Sequence, residues 1–252
     1  MLGITFRPYR WELEFVMSVE AALDDRPGLP AAEANVTNMA YEAIRRDLLV
    51  CRLAPGARVS VLGLSKALGA SQSAIREALS RLTAEGLVVL EPNRGFIVTP
   101  ISVGRFASLS KARTAIDALC LRDSIAASDV EFEVELVAAS HRVLRRLEQM
   151  DGTETAIAHY VGAHARFHEA LVSRCSNPWL LWMRGLLFAQ SVRYRNFCLP
   201  FARDKSDFYS AGGPFLRAVF RKDSDAAERL LIEQYERVCA LICARLTELL
   251  PD

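Results

Sequence analysis

No window of this sequence approaches the ~20 consecutive apolar residues that a membrane helix needs. The most apolar stretch, Trp179 to Met183, runs at once into Arg184. Near the N-terminus, Phe15-Val16-Met17 is flanked by acidic residues and is too short for the core of a signal peptide. A cytoplasmic protein with no membrane partner is expected. Charge of one sign is also missing: 31 Lys and Arg face 30 Asp and Glu, a formal net charge of +1. Any nucleic-acid footprint must therefore be local. None of the six cysteines, at 51, 120, 175, 198, 239 and 243, forms a CxxC pair. Cys239 and Cys243 are one helical turn apart, and the set reads as reduced core thiols rather than a disulfide framework or a zinc site. The chain also lacks a nucleophile–base pair, a glycine-rich phosphate loop and a paired-carboxylate site. An enzyme built on a helical bundle is therefore the weakest functional reading.

What is present is a globular balance over 252 residues, 51% hydrophobic and 24% charged, enough for one large domain or two unequal ones. Residues 1–34 are an N-terminal extension that holds at most one short helix, Trp11 to Leu23, before the turn-rich Asp24–Pro30. From Asn35, a candidate cap, apolar spacing predicts a helix with Ala40, Ile44, Leu48 and Leu49 inward, ended by Pro55-Gly56. Ser60 caps a short second helix with Leu64 and Leu68 inward, and Gly69 terminates it. Ser71 caps a third, with Ile75, Leu79 and Leu82 on one stripe, and Gly86 stops it. Two β-rich runs, 87–90 and 96–99, flank a turn at Glu91–Gly95. The order helix, turn, helix, helix, hairpin is that of a winged helix-turn-helix domain over residues 35–100. After Pro100 the strand signals vanish, and residues 105–250 read as an all-α bundle of six or seven helices. Its breaks are expected near Ser128-Asp129, Asp151-Gly152, Ser176-Asn177-Pro178 and Gly212-Gly213-Pro214. The expected class is thus mainly α.

Residues 35–99 carry eight Lys or Arg against five Asp or Glu, so the basic excess lies where a DNA reader is expected. On the helix from Gln72 to Ala84 the outward stripe is Gln72, Ser73, Arg76 and Ser80. Such groups suit a major groove: Arg forks onto guanine, Gln pairs with adenine, and hydroxyls such as Ser71 take phosphates. Arg94, beside Gly95 at the hairpin tip, can reach a minor groove or a phosphate, and Arg45 on the first helix is a further basic candidate. The plain alternative for each is a solvated helix position.

The residues also resemble a known family. Leu53-Ala54-Pro55-Gly56-Ala57-Arg58-Val59, Leu64-Ser65-Lys66-Ala67-Leu68-Gly69-Ala70-Ser71, Ile75-Arg76-Glu77-Ala78-Leu79, Ala84-Glu85-Gly86-Leu87 and Asn93-Arg94-Gly95 resemble the GntR family of bacterial transcription regulators. The helical remainder resembles the FCD-type effector domain of the FadR/VanR subfamily. That match rests on Arg113-Thr114-Ala115-Ile116-Asp117, Phe167-His168 with Ala170-Leu171, Ser176-Asn177-Pro178, and Asp223 with Ala227. The resemblance implies a homodimer on a pseudo-palindromic double-stranded DNA operator, usually as a repressor, with a small organic acid as effector. Departures concern the operator. Gln72, Ser73 and Ala74 stand where the family usually has Arg and then Thr-Pro, so Gln72 is expected to move one base preference from guanine toward adenine. Val61 stands where the family often has Glu at the start of the second helix.

Many FCD domains hold a divalent metal, zinc or similar, through one Asp and three His. Carried over, those positions are His164, His168, about Gly212 and about Gln234. Glycine offers no ligand and Gln is a poor one for a transition metal, so the resemblance implies a weakened site or none. His164 and His168 are at i and i+4, a true ligand spacing, although both can equally line or pack the bundle. Their spacing matches the HExxH of zinc proteases, but Ala165 stands where the general-base Glu is required, which excludes that reading. Arg113 matches a family position that faces the cavity, where a carboxylate or a phosphate is its natural partner; pairing with Asp117 one turn away is the alternative. With His164, His168 and Gln234, and Arg193 and Arg195 on a later helix, it forms the candidate effector set. A domain that has lost sensing and serves only to dimerise remains the rival.

Overall fold

The computed structural model describes residues 31–151, 153–198 and 213–250. The expected helix at 11–23 and the position of Gly212 lie outside them. The described residues fall into two compact units, one running through Ile101 and the other starting at Ser102. No described helix is long and apolar enough to cross a membrane.

The first unit contains α1 (Ala31–Leu49), α2 (Val61–Leu68), α3 (Gln72–Ala84), β1 (Val88–Glu91) and β2 (Gly95–Val98). Helix α1 begins at Ala31, so Asn35 lies inside it rather than capping it; the run Ala31-Ala32-Glu33-Ala34 is rich in helix formers. It ends at Leu49, before Pro55-Gly56, because Cys51 takes a left-handed φ of 57°. Ser60 and Ser71 cap α2 and α3, their Oγ atoms accepting from Gly63 N and Ala74 N, and Gly69 closes α2 at φ 64°. Helix α2 buries no residue; Leu68 is exposed, contrary to the inward position expected of it, because α2 has barely two turns. Strands β1 and β2 pair antiparallel, Val88 with Val98 through Glu91 with Gly95. The segment Gly56–Val59 adds to the outer edge of β2, through Gly56 N to Val98 O at 2.9 Å and Val59 N to Phe96 O at 2.8 Å. Ile44, Leu48, Ile75, Leu79, Leu82, Leu87 and Val98 close the core.

The second unit has six helices among the described residues: α4 (Val103–Ala126), α5 (Val130–Glu148), α6 (Glu154–Ala170), α7 (Pro178–Cys198), α8 (Gly213–Phe220) and α9 (Ser224–Leu249). Helix α4 packs on α7 and α9, and α5 on α6. Side-chain caps mark the starts: Ser102, Asp129, Thr153 and Asp223 each accept from the amide three residues on, and Asn177 Oδ1 accepts from Trp179 N and Leu180 N. The break between α8 and α9 carries no glycine; Lys222 turns the chain at φ 55°. All six cysteines are free thiols, four of them buried, with Cys239 Sγ 4.0 Å from Cys243 Sγ.

Candidate nucleic-acid interface and buried cavity

Helix α3 buries Ile75, Ala78, Leu79 and Leu82 and turns Gln72, Ser73, Arg76 and Ser80 outward, all exposed. That split follows from the 3.6-residue period acting on the apolar stripe. Arg76 has no ion pair among the described residues, so its five N–H donors stay available. The Oγ of Ser71 accepts from Ala74 N at 3.2 Å, which makes the residue a cap as well as a surface hydroxyl. At the hairpin tip Asn93 and Gly95 adopt φ of 62° and 78°, and this turn holds Arg94 out at 67% side-chain exposure. Its partner is Glu91 Oε2 at 2.6 Å; an exposed pair of this kind is weak and readily exchanged for a phosphate.

Arg45 differs from the expectation. Its side chain is 11% exposed and its Nε donates to Glu85 Oε2 at 2.9 Å, while Tyr41 donates to the other oxygen of Glu85. Arg45 ties α1 to the end of α3 and presents no free guanidinium. Arg81 turns the same way, donating to Asn38 Oδ1 at 2.6 Å and lying 4.1 Å over the Tyr41 ring. Two cations absent from the predicted set, Arg58 and Lys66, are exposed and without an ion pair among the described residues. Only their place in the basic excess of the segment hinted at them.

The second unit holds a partly open cavity of about 250 Å³ walled by α4, α6, α7, α9 and the start of α8. Arg113, His164, His168 and Gln234 line it; Arg193 does not. Arg193 is 1% exposed and donates to Gln190 Oε1 at 3.1 Å. Two residues along a helix is about 200° of rotation, so Arg193 and Arg195 cannot share a face. Ser191 and Arg195, one turn apart, are the α7 residues that line the cavity.

Arg113 lines the cavity and makes the alternative pairing, with Asp117 one turn away. Its Nε donates to Asp117 Oδ2 at 3.1 Å, Nη1 to Ser191 Oγ at 2.9 Å and Nη2 to Tyr235 OH at 3.1 Å. Asp117 also receives the Tyr235 hydroxyl at 2.7 Å and pairs through Oδ1 with Arg184 Nε at 3.0 Å. One carboxylate thus serves two guanidinium groups, and the cluster retains one positive charge. Tyr235 was not anticipated, because it sits 118 and 122 positions from Asp117 and Arg113 and only the fold joins them.

Arg195 Nη1 lies 2.7 Å from His164 Nδ1. Since a guanidinium only donates, His164 accepts at Nδ1. Tyr235 has a single proton, committed to Asp117, so its 3.2 Å contact with His168 Nδ1 has the histidine as donor. Burial, then Arg195 and Arg113, hold His164 well below the usual imidazole range. Burial, then His164 and Arg113, do the same to His168. Both rings are neutral at physiological pH. Burial and the Arg113 charge lower Arg195 itself to about 10.

A divalent metal fits this donor set poorly. His164 Nδ1 already receives a cation's proton, Gln234 Oε1 accepts from Arg237, and the guanidinium groups of Arg113 and Arg195 lie in the same wall. Among the described residues no group of three or more His, Cys, Asp or Glu gathers. The guanidinium charges of Arg113 and Arg195 beside the two neutral imidazoles oppose a divalent cation.

The profile for "Bacterial regulatory proteins, gntR family" matches residues 36–98, and that for "FCD domain" matches residues 108–237. The chain is 30% identical over 206 residues to the "Uncharacterized HTH-type transcriptional regulator BphR" of Paraburkholderia xenovorans, covering 80% of this chain and 84% of that protein. It is also 30% identical over 200 residues to the "HTH-type transcriptional repressor GlaR" of Escherichia coli, covering 76% and 88%. Among solved structures, E. coli McbR/YncC superposes with a TM-score of 0.69 at 19% identity, over 82% of this chain and 96% of that one, a likeness of fold.

Proposed function

The chain belongs to the gntR family of bacterial regulatory proteins, with an FCD domain, and is a DNA-binding transcription regulator rather than an enzyme; on that premise we propose that it is a cytoplasmic repressor released by a small carboxylate effector. Two copies place their α3 helices in successive major-groove faces of a pseudo-palindromic operator. Gln72, Ser73 and Arg76 meet base edges, while Ser71, Arg94, Gly95, Arg58 and Lys66 meet the backbone. The effector enters the bundle cavity and shifts the population toward a form that binds the operator less well, in proportion to its differential affinity.

The observation that carries the effector half is the pair of buried guanidinium groups, Arg113 and Arg195, in the wall of one cavity. Arg113 is paired with Asp117, but Arg195 has no acidic partner among the described residues, and a domain kept only for dimerisation has no need of such a buried cation, since it costs stability. The name of the E. coli relative favours a repressor. The test is fluorescence anisotropy on an operator selected from genomic fragments, with a panel of small acids added. Release of DNA by one acid supports the reading, and an operator affinity that no acid alters contradicts the effector half.

A further inference from the structure

We infer that the outer face of α5 joins two copies of this chain, α5 lying antiparallel to α5 of the second copy. The inference rests on the two-copy reading above and names the surface that holds the pair together. Its basis is a second apolar face on one helix. A surface helix ordinarily carries one apolar stripe, and α5 already buries Phe132, Leu136, Ala139 and Val143 within the unit, where it packs on α6. On the opposite side Val130, Val134, Val137 and Leu144 are exposed, at 69%, 62%, 48% and 43%. With the exposed His141 they follow one another at alternating steps of four and three residues. That spacing is the repeat of about 3.5 residues found in a helix–helix seam, sustained over about 21 Å of helix. Apolar side chains scattered singly over a surface need no partner, but a continuous row of them does.

The charges beside the row favour a second copy as the partner. Glu131, Ala138 and Arg145 are spaced seven apart and so lie along one flank of the seam, acidic at its start, small at its middle and basic at its end. Such a flank is complementary to itself when turned end for end about a twofold axis. With Ala138 beside its own copy near that axis, Glu131 meets Arg145 of the partner subunit at both ends. Val134 then packs on Leu144 of the partner subunit, and Val137 on His141 of the partner subunit. A parallel pair would bring the two acidic starts together and the two basic ends together, which like charges oppose. Ala138 is half-buried and small enough to let the backbones approach, and Arg145 holds only an exposed pair with Glu148, readily exchanged. A polar side chain at one seam position, here His141, fixes register at some cost in affinity.

The test uses the full-length chain in sedimentation equilibrium over a range of concentrations. Wild type is expected to dimerise. Val134→Glu, which sets a charge against Leu144 at a position open in the single chain, should raise the dissociation constant by more than about tenfold while the circular dichroism stays unchanged. Arg145→Glu should weaken the pair, and adding Glu131→Arg should restore it. The same polarity suits the dipole of α5 itself, but a role confined to one helix would give no rescue of assembly. A short bismaleimide should join two copies of Ala138→Cys and fail on Glu131→Cys, whose two copies stand about 20 Å apart, with the wild-type thiols as control. If Val134→Glu assembles as wild type does, or if the charge swap fails to rescue assembly, the proposal is overturned. Absence of the Ala138→Cys cross-link overturns it as well, and is what a face covered by the chain's own residues 1–30 or by an unlike protein would give. If wild type is monomeric throughout and binds its operator as a monomer, the two-copy reading itself fails; if it dimerises but ignores these substitutions, only the present inference fails.

Discussion

His164 and His168 carry a signature that a titration can read. Each is buried and neutral among Arg113, Arg195, Tyr235 and Asp117, with a folded-state pKa below that of the unfolded chain. Below the unfolded value of about 6.5 the unfolded state binds more protons, so stability is complete above that pH and falls as the pH drops through it. The melting temperature should decline between pH 7 and pH 5.5, with a slope of up to about 1.4 kcal/mol per pH unit for each imidazole, and the decline should be shallower in His168→Gln. Gln72 carries a second residue-scale outcome. In Gln72→Arg, operator selection should move one position of each half-site from adenine to guanine, a preference of about 1–3 kcal/mol. At this scale the sequence was legible wherever partners are local. His164 with His168 and Arg113 with Asp117 are one turn apart and were visible as pairs. Tyr235, Ser191 and Arg184 reach the same cluster from other helices and leave no local trace. Between Arg193 and Arg195, a spacing of two residues could not say which one faces inward.

Among elements, α3 is held by its cap and by the end of its last turn. Ser71→Ala should cost about 1 kcal/mol by freeing the Ala74 amide. Glu85→Ala should cost more, about 3 kcal/mol, since it strands the Arg45 guanidinium in a part-buried site and removes the Tyr41 contact. Chemical denaturation followed by circular dichroism measures both. Most helix boundaries were readable because caps are local chemistry: Ser60, Ser71 and Gly69 each do in the fold what their type predicts. Three features were not. Asn35 is a capping residue swallowed by a helix that starts four positions earlier, and the break at Lys222 lacks the glycine that usually marks one. The pairing of Gly56–Val59 with β2 is made by backbone groups some forty residues apart, which no side-chain pattern announces.

For the whole molecule, the near-neutral charge conceals a basic segment whose cations divide into two kinds. Arg45, Arg52 and Arg94 are ion-paired within the unit, whereas Arg58, Lys66 and Arg76 have no ion pair among the described residues. The salt dependence of DNA binding should separate backbone contacts from readers. Arg58→Ala and Lys66→Ala should each flatten the slope of log K against log salt by about one and weaken all sequences alike. The most direct measurement is the affinity of Arg76→Ala for the selected operator and for an unrelated duplex, at one salt concentration. The account predicts an intact fold and a loss of about 1–3 kcal/mol on the operator, with far less on the unrelated duplex. An Arg76→Ala protein that binds its operator as tightly as wild type would contradict the assignment of α3 as the reading helix.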